Sequence, residues 1–128
     1  METEIIINLT QHLATEEQTA EGVIDLPEQI RKELIRWLTI EELPNSSDLC
    51  QRAMEIGFIA KATHCKKAMI GGHNLLMPGV DFILRAHGIL PLYAFSKRMV
   101  VENGGKKVVT FKHEGLVEVP DQPAPNTY

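Results

Sequence analysis

Residues 66–96, KKAMIGGHNLLMPGVDFILRAHGILPLYAFS, have the pattern of a strand, a glycine turn, a helix and a second strand in succession. The first apolar run ends at Gly71-Gly72, and residues 89–96 form the second. Between them the apolar residues have helical spacing, and Gly88 stands where such a helix would end. This order predicts two parallel strands joined by a right-handed crossover.

The N-terminal residues add strands and a helix to this unit. Residues 4–9, EIIINL, are rich in β-branched residues and predict a fully buried strand. Thr15 with Gln18 forms a capping-box pattern, so we expect a short helix to begin there and to end at Gly22. A short second strand is expected at residues 23–26.

Local signals also mark the starts of the longer helices. One helix is expected near Pro27, and Ser46 or Ser47 is expected to cap the next. The helix within residues 66–96 should begin near Pro78 rather than at Asn74, because proline is tolerated in the first helical turn. The first two of these helices each carry an apolar stripe, formed by Ile30, Leu34, Trp37 and Leu38 and by Leu49, Ala53, Ile56 and Ala60.

The C-terminal part is rich in predicted strands. Asn103-Gly104-Gly105 is a hairpin signal between strands expected at residues 99–102 and 107–111, and a last strand is expected at 116–119. Residues 120–128 contain three prolines and are expected to form a flexible tail. We therefore predict one α/β domain over residues 1–119. It is expected to be a small Rossmann-like sandwich with a mostly parallel sheet and a C-terminal β-hairpin.

Charge is unevenly distributed along the chain. The whole chain of 128 residues has a formal net charge of −4, which argues against a protein that coats long nucleic acids. Residues 1–60 carry −8, residues 61–113 carry +7 and residues 114–128 carry −3. The basic segment either neutralises the acidic one or binds a compact anionic ligand.

Composition and motifs exclude several classes of protein. Cys50 and Cys65 are too few for a disulfide scaffold, and no HExxH motif or paired Cys/His spacing occurs, so we predict no metal and no cofactor. No apolar run is long enough to cross a membrane, and the N-terminus lacks the pattern of a secretory signal. A cytoplasmic protein without a membrane partner is the expectation.

Ligands of an open parallel sheet bind beyond the carboxyl ends of the strands, where three loops are expected. These loops are residues 8–12, 71–74 and 96–98. Gly71-Gly72 lets a ligand approach the backbone, although a tight turn explains the pair equally simply. The candidate ligand-binding residues are Asn8, Thr10, Gly71, Gly72, His73, Asn74, Ser96 and Lys97.

Three side chains are candidates for catalysis. Arg98 can hold a phosphate bidentately, with Lys97 adding a positive charge. His12 follows the first strand, and His113 is expected at the end of a later strand, where a histidine could give a proton to a leaving group. A helix cap for His12, a surface ion pair for Arg98 and a structural role for His113 are the alternatives.

The segments NLTQH at 8–12, MIGG at 69–72 and PLYAFSKR at 91–98, with Glu102, Phe111 and His113, carry a family resemblance. In these residues the chain resembles the small single-domain CRISPR-associated proteins of the ring-nuclease type. Those proteins are Rossmann-like relatives of domains that sense cyclic oligoadenylate. The resemblance implies a homodimer that takes a cyclic oligoadenylate across its two-fold axis and needs no metal. It implies in-line attack by a ribose 2′-hydroxyl, which gives linear products ending in a 2′,3′-cyclic phosphate.

The resemblance also implies roles for the candidate residues. Arg98 and Lys97 would stabilise the phosphate, Thr10 and His12 would orient the ribose or the attacked phosphate, and His113 would be the acid. Gly71, Gly72 and Asn74 would donate hydrogen bonds. A sensor or sequestering protein without catalysis, a flavodoxin-like nucleotide-binding protein and a purely structural partner protein are the other hypotheses.

Overall fold

The computed structural model describes residues 4–120, so the tail predicted at residues 120–128 lies outside the described residues from 121 onwards. Within this range the chain forms five strands and four helices. In chain order they are β1 (Ile6–Leu9), α1 (Glu16–Ala20), β2 (Val23–Ile24), α2 (Glu28–Leu38), α3 (Ser46–Ala62), β3 (Lys67–Ile70), α4 (Met77–Ala86), β4 (Leu90–Asn103) and β5 (Lys106–Glu118).

The strands form one sheet in the order β2-β1-β3-β4-β5. The first four strands are parallel, and β5 pairs with β4 antiparallel. The α/β class, the mostly parallel sheet and the C-terminal hairpin predicted from the sequence are therefore confirmed. Within residues 4–120, no helix combines the length and the apolar character needed to cross a bilayer.

The two faces of the sheet are covered unequally. On one face, α2, α3 and α4 bury the large core cluster, in which Leu34, Ile56 and Leu84 are fully buried. The other face carries a smaller cluster of Ile6, Val23, Met69 and Leu92, against which Ala14 packs. All four residues of β1 are buried, so the first strand lies between these two layers. The buried strand predicted at residues 4–9 is confirmed for residues 6–9, whereas Glu4 and Ile5 are exposed and precede the strand.

The local start signals are mostly confirmed. Thr15 Oγ1 accepts from the Gln18 amide at 3.1 Å, and Gln18 Oε1 accepts from the Thr15 amide at 3.0 Å, so the capping box is formed. Helix α4 begins at Met77, next to Pro78, as expected. The predicted cap of α3 is wrong: Asn45 rather than Ser46 or Ser47 accepts from the Asp48 amide, at 2.8 Å. The asparagine is the last extended residue before α3, and Ser46 already has helical geometry.

The C-terminal strands are longer than predicted. The expected strands at 99–102 and 107–111 belong to β4 and β5, which have 14 and 13 residues. The loop expected at residues 96–98 is also wrong, because these residues lie inside β4. Polar residues suggested a loop there, but both faces of this stretch meet solvent, and an exposed strand carries polar side chains readily.

β4 and β5 project beyond the parallel sheet as a two-stranded ribbon. Pairing of β4 with β3 ends at Tyr93, opposite Ile70. Every residue from 94 to 112 is exposed; this segment is called the arm below. Its turn has positive φ at Gly104 and Gly105, 61° and 81°, as the hairpin signal predicts.

We expect Leu34→Ala to lower the free energy of unfolding by about 2–5 kcal/mol, because it opens a cavity in the main core. The control Ile30→Ala lies on the same helix, where 44% of the residue is exposed. It should cost well under half as much as Leu34→Ala. Urea unfolding monitored by circular dichroism measures both, and equal losses would contradict the layer assignment.

Candidate functional site

Two adjoining cavities open where β1 and β3 end and β4 continues, paired only with β5. The loop-side cavity, about 550 Å³, lies between the β1–α1 loop and the sheet. The helix-side cavity, about 590 Å³, lies next to the start of α4. Gly71, Gly72 and Tyr93 line both cavities, which together are called the strand-end cleft below. This is the edge at which an open parallel sheet binds ligands.

Gly71 and Gly72 form the floor shared by the two cavities. A Cβ at Gly72 would lie 3.1 Å from Met77 Cε and 3.5 Å from Leu38 Cδ2. A Cβ at Gly71 would lie 3.6 Å from Thr10 Cγ2. Packing against Met77 and Leu38 therefore accounts for glycine at position 72, whereas position 71 has room for a side chain. Without side chains, both residues expose their backbone to the cavities they line.

The β1–α1 loop is held by one buried amide. Asn8 Nδ2 donates to the His12 carbonyl at 2.7 Å and to Asp25 Oδ1 at 2.8 Å. Asn8 Oδ1 accepts from the Thr10 amide at 2.9 Å and from the Thr10 hydroxyl at 2.7 Å. Both donors and both acceptor positions of this amide are therefore used within the protein. Asn8, predicted to bind ligand, instead fixes the shape of the loop.

Two of the predicted loop residues face the loop-side cavity. Thr10 and His12 both line it, together with apolar residues that include Leu13 and Met69. The Thr10 hydroxyl is also 3.1 Å from the His12 carbonyl oxygen, so this side chain stabilises the loop as well. The imidazole of His12 is exposed and accepts or donates no hydrogen bond within residues 4–120. His12 is thus available to a ligand in the cavity.

A tyrosine–aspartate–arginine chain forms the wall opposite the loop. Tyr93 Oη donates to Asp81 Oδ2 at 2.6 Å, and Arg85 Nε donates to Asp81 Oδ1 at 2.7 Å. Arg85 Nη2 also donates to the Val119 carbonyl at 2.6 Å, so the chain joins α4 to the end of β5. Burial, followed by the hydrogen bond to Asp81, raises the pKa of Tyr93 to about 12.

The hydrogen bond to Asp81 limits what else Tyr93 can bind. Its hydroxyl donates to Asp81, so the lone pairs of the oxygen remain to accept a hydrogen bond from a hydroxyl or amine in the cleft. Neither Tyr93 nor Asp81 was predicted from the sequence as a site residue. The signal available was the position of Tyr93 at the end of the parallel part of β4, where strand ends form ligand sites.

The second predicted loop is split between the cleft and the surface. Asn74 lines the helix-side cavity. The side chain of His73 lies outside both cavities, and its Nδ1 accepts from the Leu75 amide at 3.1 Å. His73 therefore stabilises the turn that leads into α4, and its predicted contact with a ligand finds no support in this arrangement.

The third group lies on the strands of the arm. Ser96, Lys97 and Arg98 are exposed and lie within β4, beyond Ala94, which lines the loop-side cavity. Alternation along a strand puts Ser96 and Arg98 on the same face as Ala94, so they extend this wall of the cleft outward. Lys97 lies on the opposite face with Phe95 and Tyr93.

His113 lies in the interior of β5 rather than at a strand end, so its predicted position is wrong. A register shift places it opposite Ser96, and its side chain is 6% exposed. Its Nε2 is 2.7 Å from Glu21 Oε1, next to α1, while its Nδ1 is buried without a hydrogen-bond partner within residues 4–120. His113 lines neither cavity and connects β5 to the end of α1.

Comparisons with known proteins identify one family. A family model described as the uncharacterized protein MJ1673 family matches residues 4–117. No curated protein and no solved structure matches the chain significantly. The match covers every strand and helix from β1 to β4 and all of β5 except Glu118.

We expect Asn8→Ala to lower the free energy of unfolding by about 2–3 kcal/mol, because it leaves Asp25 and Thr10 without their buried partner. Asn74→Ala is the matched control, since this asparagine is exposed and makes no side-chain hydrogen bond within residues 4–120. It should change the free energy of unfolding by less than about 0.5 kcal/mol. Equal effects in urea unfolding would show that the Asn8 amide does not hold the loop.

Ultraviolet titration should place the ionisation of Tyr93 near pH 12, as the difference between the wild-type protein and Tyr93→Phe. Asp81→Asn should lower this pKa, because it removes the carboxylate that favours the protonated phenol. The protonated form is the one that folding favours. The stabilisation is therefore present below the ordinary tyrosine pKa of about 10 and is lost as pH rises towards 12. An unchanged titration in Asp81→Asn would contradict the role of the Tyr93–Asp81 hydrogen bond.

Proposed function

This chain belongs to the uncharacterized MJ1673 family, and we propose that it binds and cleaves a cyclic oligoadenylate at the strand-end cleft. The observation that carries the proposal is the convergence of the Gly71-Gly72 backbone, His12 and Tyr93 on one cleft. These groups supply a close approach for a phosphate, a side chain able to give a proton and a directed hydrogen-bond acceptor. The resemblance of NLTQH and PLYAFSKR to ring nucleases favours the same ligand.

The lining of the cleft suits a nucleotide. The loop-side cavity contains Leu13, Met69 and Ala94, and this apolar surface can take an adenine base. Bare backbone at Gly71 and Gly72 lies beside it and can approach a phosphate. Arg98 extends the wall of the cleft outward, where its guanidinium can hold a second phosphate of a ring. The compact ligand explains how a chain of net charge −4 can bind a nucleotide.

The proposed reaction is an in-line attack of a ribose 2′-hydroxyl on the adjacent phosphorus. The 2′-hydroxyl gives its proton to Tyr93 Oη while Tyr93 gives its own proton to Asp81 Oδ2, so the tyrosine stays neutral. The bond from O2′ to phosphorus forms and the bond to O5′ breaks. His12 protonates O5′, and the products carry a 2′,3′-cyclic phosphate and a 5′-hydroxyl. No metal ion takes part in this proposal.

His12 takes the acid role because it lines the cavity. His113, the acid implied by the resemblance, contacts Glu21 outside both cavities. A flavodoxin-like phosphate loop is less well supported, because the Thr10 amide and hydroxyl are bonded to Asn8 and are not free for a phosphate. As a two-fold symmetric ring fits a two-fold axis, the proposal includes a homodimer.

Incubation with cyclic tetra-adenylate followed by chromatography tests the proposal. We expect linear products ending in a 2′,3′-cyclic phosphate. His12→Ala should lower kcat by about 100-fold or more, since general acid catalysis contributes this much. Calorimetry should show that this variant still binds the ring. Tyr93→Phe should also lower kcat, and the kcat of this variant should vary less with pH than that of the wild-type enzyme.

The control is His64→Asn, because His64 is exposed, precedes β3 at the opposite end of the sheet and has a φ of 60°, which asparagine tolerates. It should leave cleavage unchanged. Binding of an uncleaved ring by the wild-type protein would replace the enzyme with a sensor or sequestering protein. Absence of binding would overturn both.

A further inference from the structure

The arm exposes an unusual amount of apolar surface. Seven large apolar residues lie on it, and each is at least 37% exposed; they are Phe95, Met99, Val100, Val101, Val108, Val109 and Phe111. Phe111 reaches 70%. An isolated two-stranded ribbon is marginally stable in water, and apolar side chains on it gain stability only when another surface covers them.

The register assigns these side chains to two different faces. Met99, Val101 and Val108 share the face that also carries Lys97, Lys106 and Lys112; this is called the lysine face below. Val100, Val109 and Phe111 lie on the other face. Lys97 and Lys112 are directly opposite each other across the ribbon. Like charges in this position destabilise a strand pair unless an anionic group lies close to both.

The rest of the protein has the complementary charge. Residues 94–112 contain five basic residues and one acidic residue, a net charge of +4. Residues 4–93 contain eight basic and twelve acidic residues, a net charge of −4. The body of a second copy therefore offers the carboxylates that the lysine face lacks.

The size of the arm favours a reciprocal contact. The β4 strand of the arm spans about 30 Å over the nine residues from Phe95 to Asn103. One face of the two-stranded ribbon therefore has a surface area of roughly 300 Å². A stable interface buries about 800 Å² on each partner. When two copies exchange arms about a two-fold axis, each copy contributes both an arm and the surface that receives one, so that each buries about 600 Å², the lower end of the standard range.

We propose that the arm docks with its lysine face on the acidic body of a second copy, and that this reciprocal contact forms the dimer. The inference deepens the proposed function, which includes a homodimer, but it concerns association alone. Its test contains no nucleotide, so that failure of the arm contact and failure of the nuclease activity are seen separately.

Sedimentation equilibrium tests the contact with two charge-matched variants. The arm variant Lys97→Glu/Lys112→Glu should raise the dimer dissociation constant at least tenfold. The control Lys61→Glu/Lys66→Glu reverses two exposed lysines of the body and should leave that constant unchanged. Val101→Asp, which removes apolar contact on the same face, should weaken the dimer as well. All four substituted lysines are exposed, so circular dichroism should show an unchanged fold.

A wild-type protein that stays monomeric at about 100 µM, where even weak dimers with micromolar constants are populated, would overturn the proposal. So would an arm variant that dimerises as well as the control. A monomer that binds single-stranded RNA through Lys97 and Lys112 would also overturn it, and would make the arm a nucleic-acid surface.

Discussion

The buried amide of Asn8 fixes the cleft on which the proposed chemistry depends. It stands at the end of β1 and bonds Thr10, the His12 carbonyl and Asp25, which follows β2. Asp25 Oδ1 also accepts from the Ala14 amide at 3.0 Å. Because these bonds share the Asn8 amide and the Asp25 carboxylate, they tie the β1–α1 loop to β1 and to the end of β2 and hold the backbone that carries His12 beside the Gly71-Gly72 floor.

The opposite wall of the cleft is stabilised by a different principle. Tyr93, Asp81 and Arg85 connect β4, α4 and the Val119 carbonyl through charge-assisted hydrogen bonds. The cleft therefore lies between two polar networks, while the loop-side cavity is lined largely by apolar surface. This combination keeps the tyrosine oxygen directed into the cleft. Beyond it, the sheet continues as an arm that exposes seven large apolar side chains.

Much of the fold could be predicted because its signals are local. The capping box at Thr15 and Gln18, the turn at Gly104 and Gly105 and the start of α4 near Pro78 each depend on residues close in sequence. The errors arose where a local signal had two explanations. Ser96, Lys97 and Arg98 suggest a loop when a strand is assumed to be buried, but they fit a strand whose two faces both meet solvent. Asn45 and Ser46 are both of residue types that cap helices well. Only the backbone geometry shows that the helix begins at Ser46 and that Asn45 is its cap.

At the candidate site, the strand pattern of the sequence was enough to place Thr10, His12, Gly71, Gly72 and Asn74 at strand ends, because parallel strands bring their carboxyl ends to one edge. Which partners these residues contact depends on the folded chain. Asn8 bonds Asp25 from 17 positions away because β1 pairs with β2, and Tyr93 bonds Asp81 from 12 positions away because α4 packs on the sheet. Likewise His113 contacts Glu21 because the end of α1 lies against β5. Sequence spacing specifies the elements, whereas packing specifies which side chains are free for a ligand.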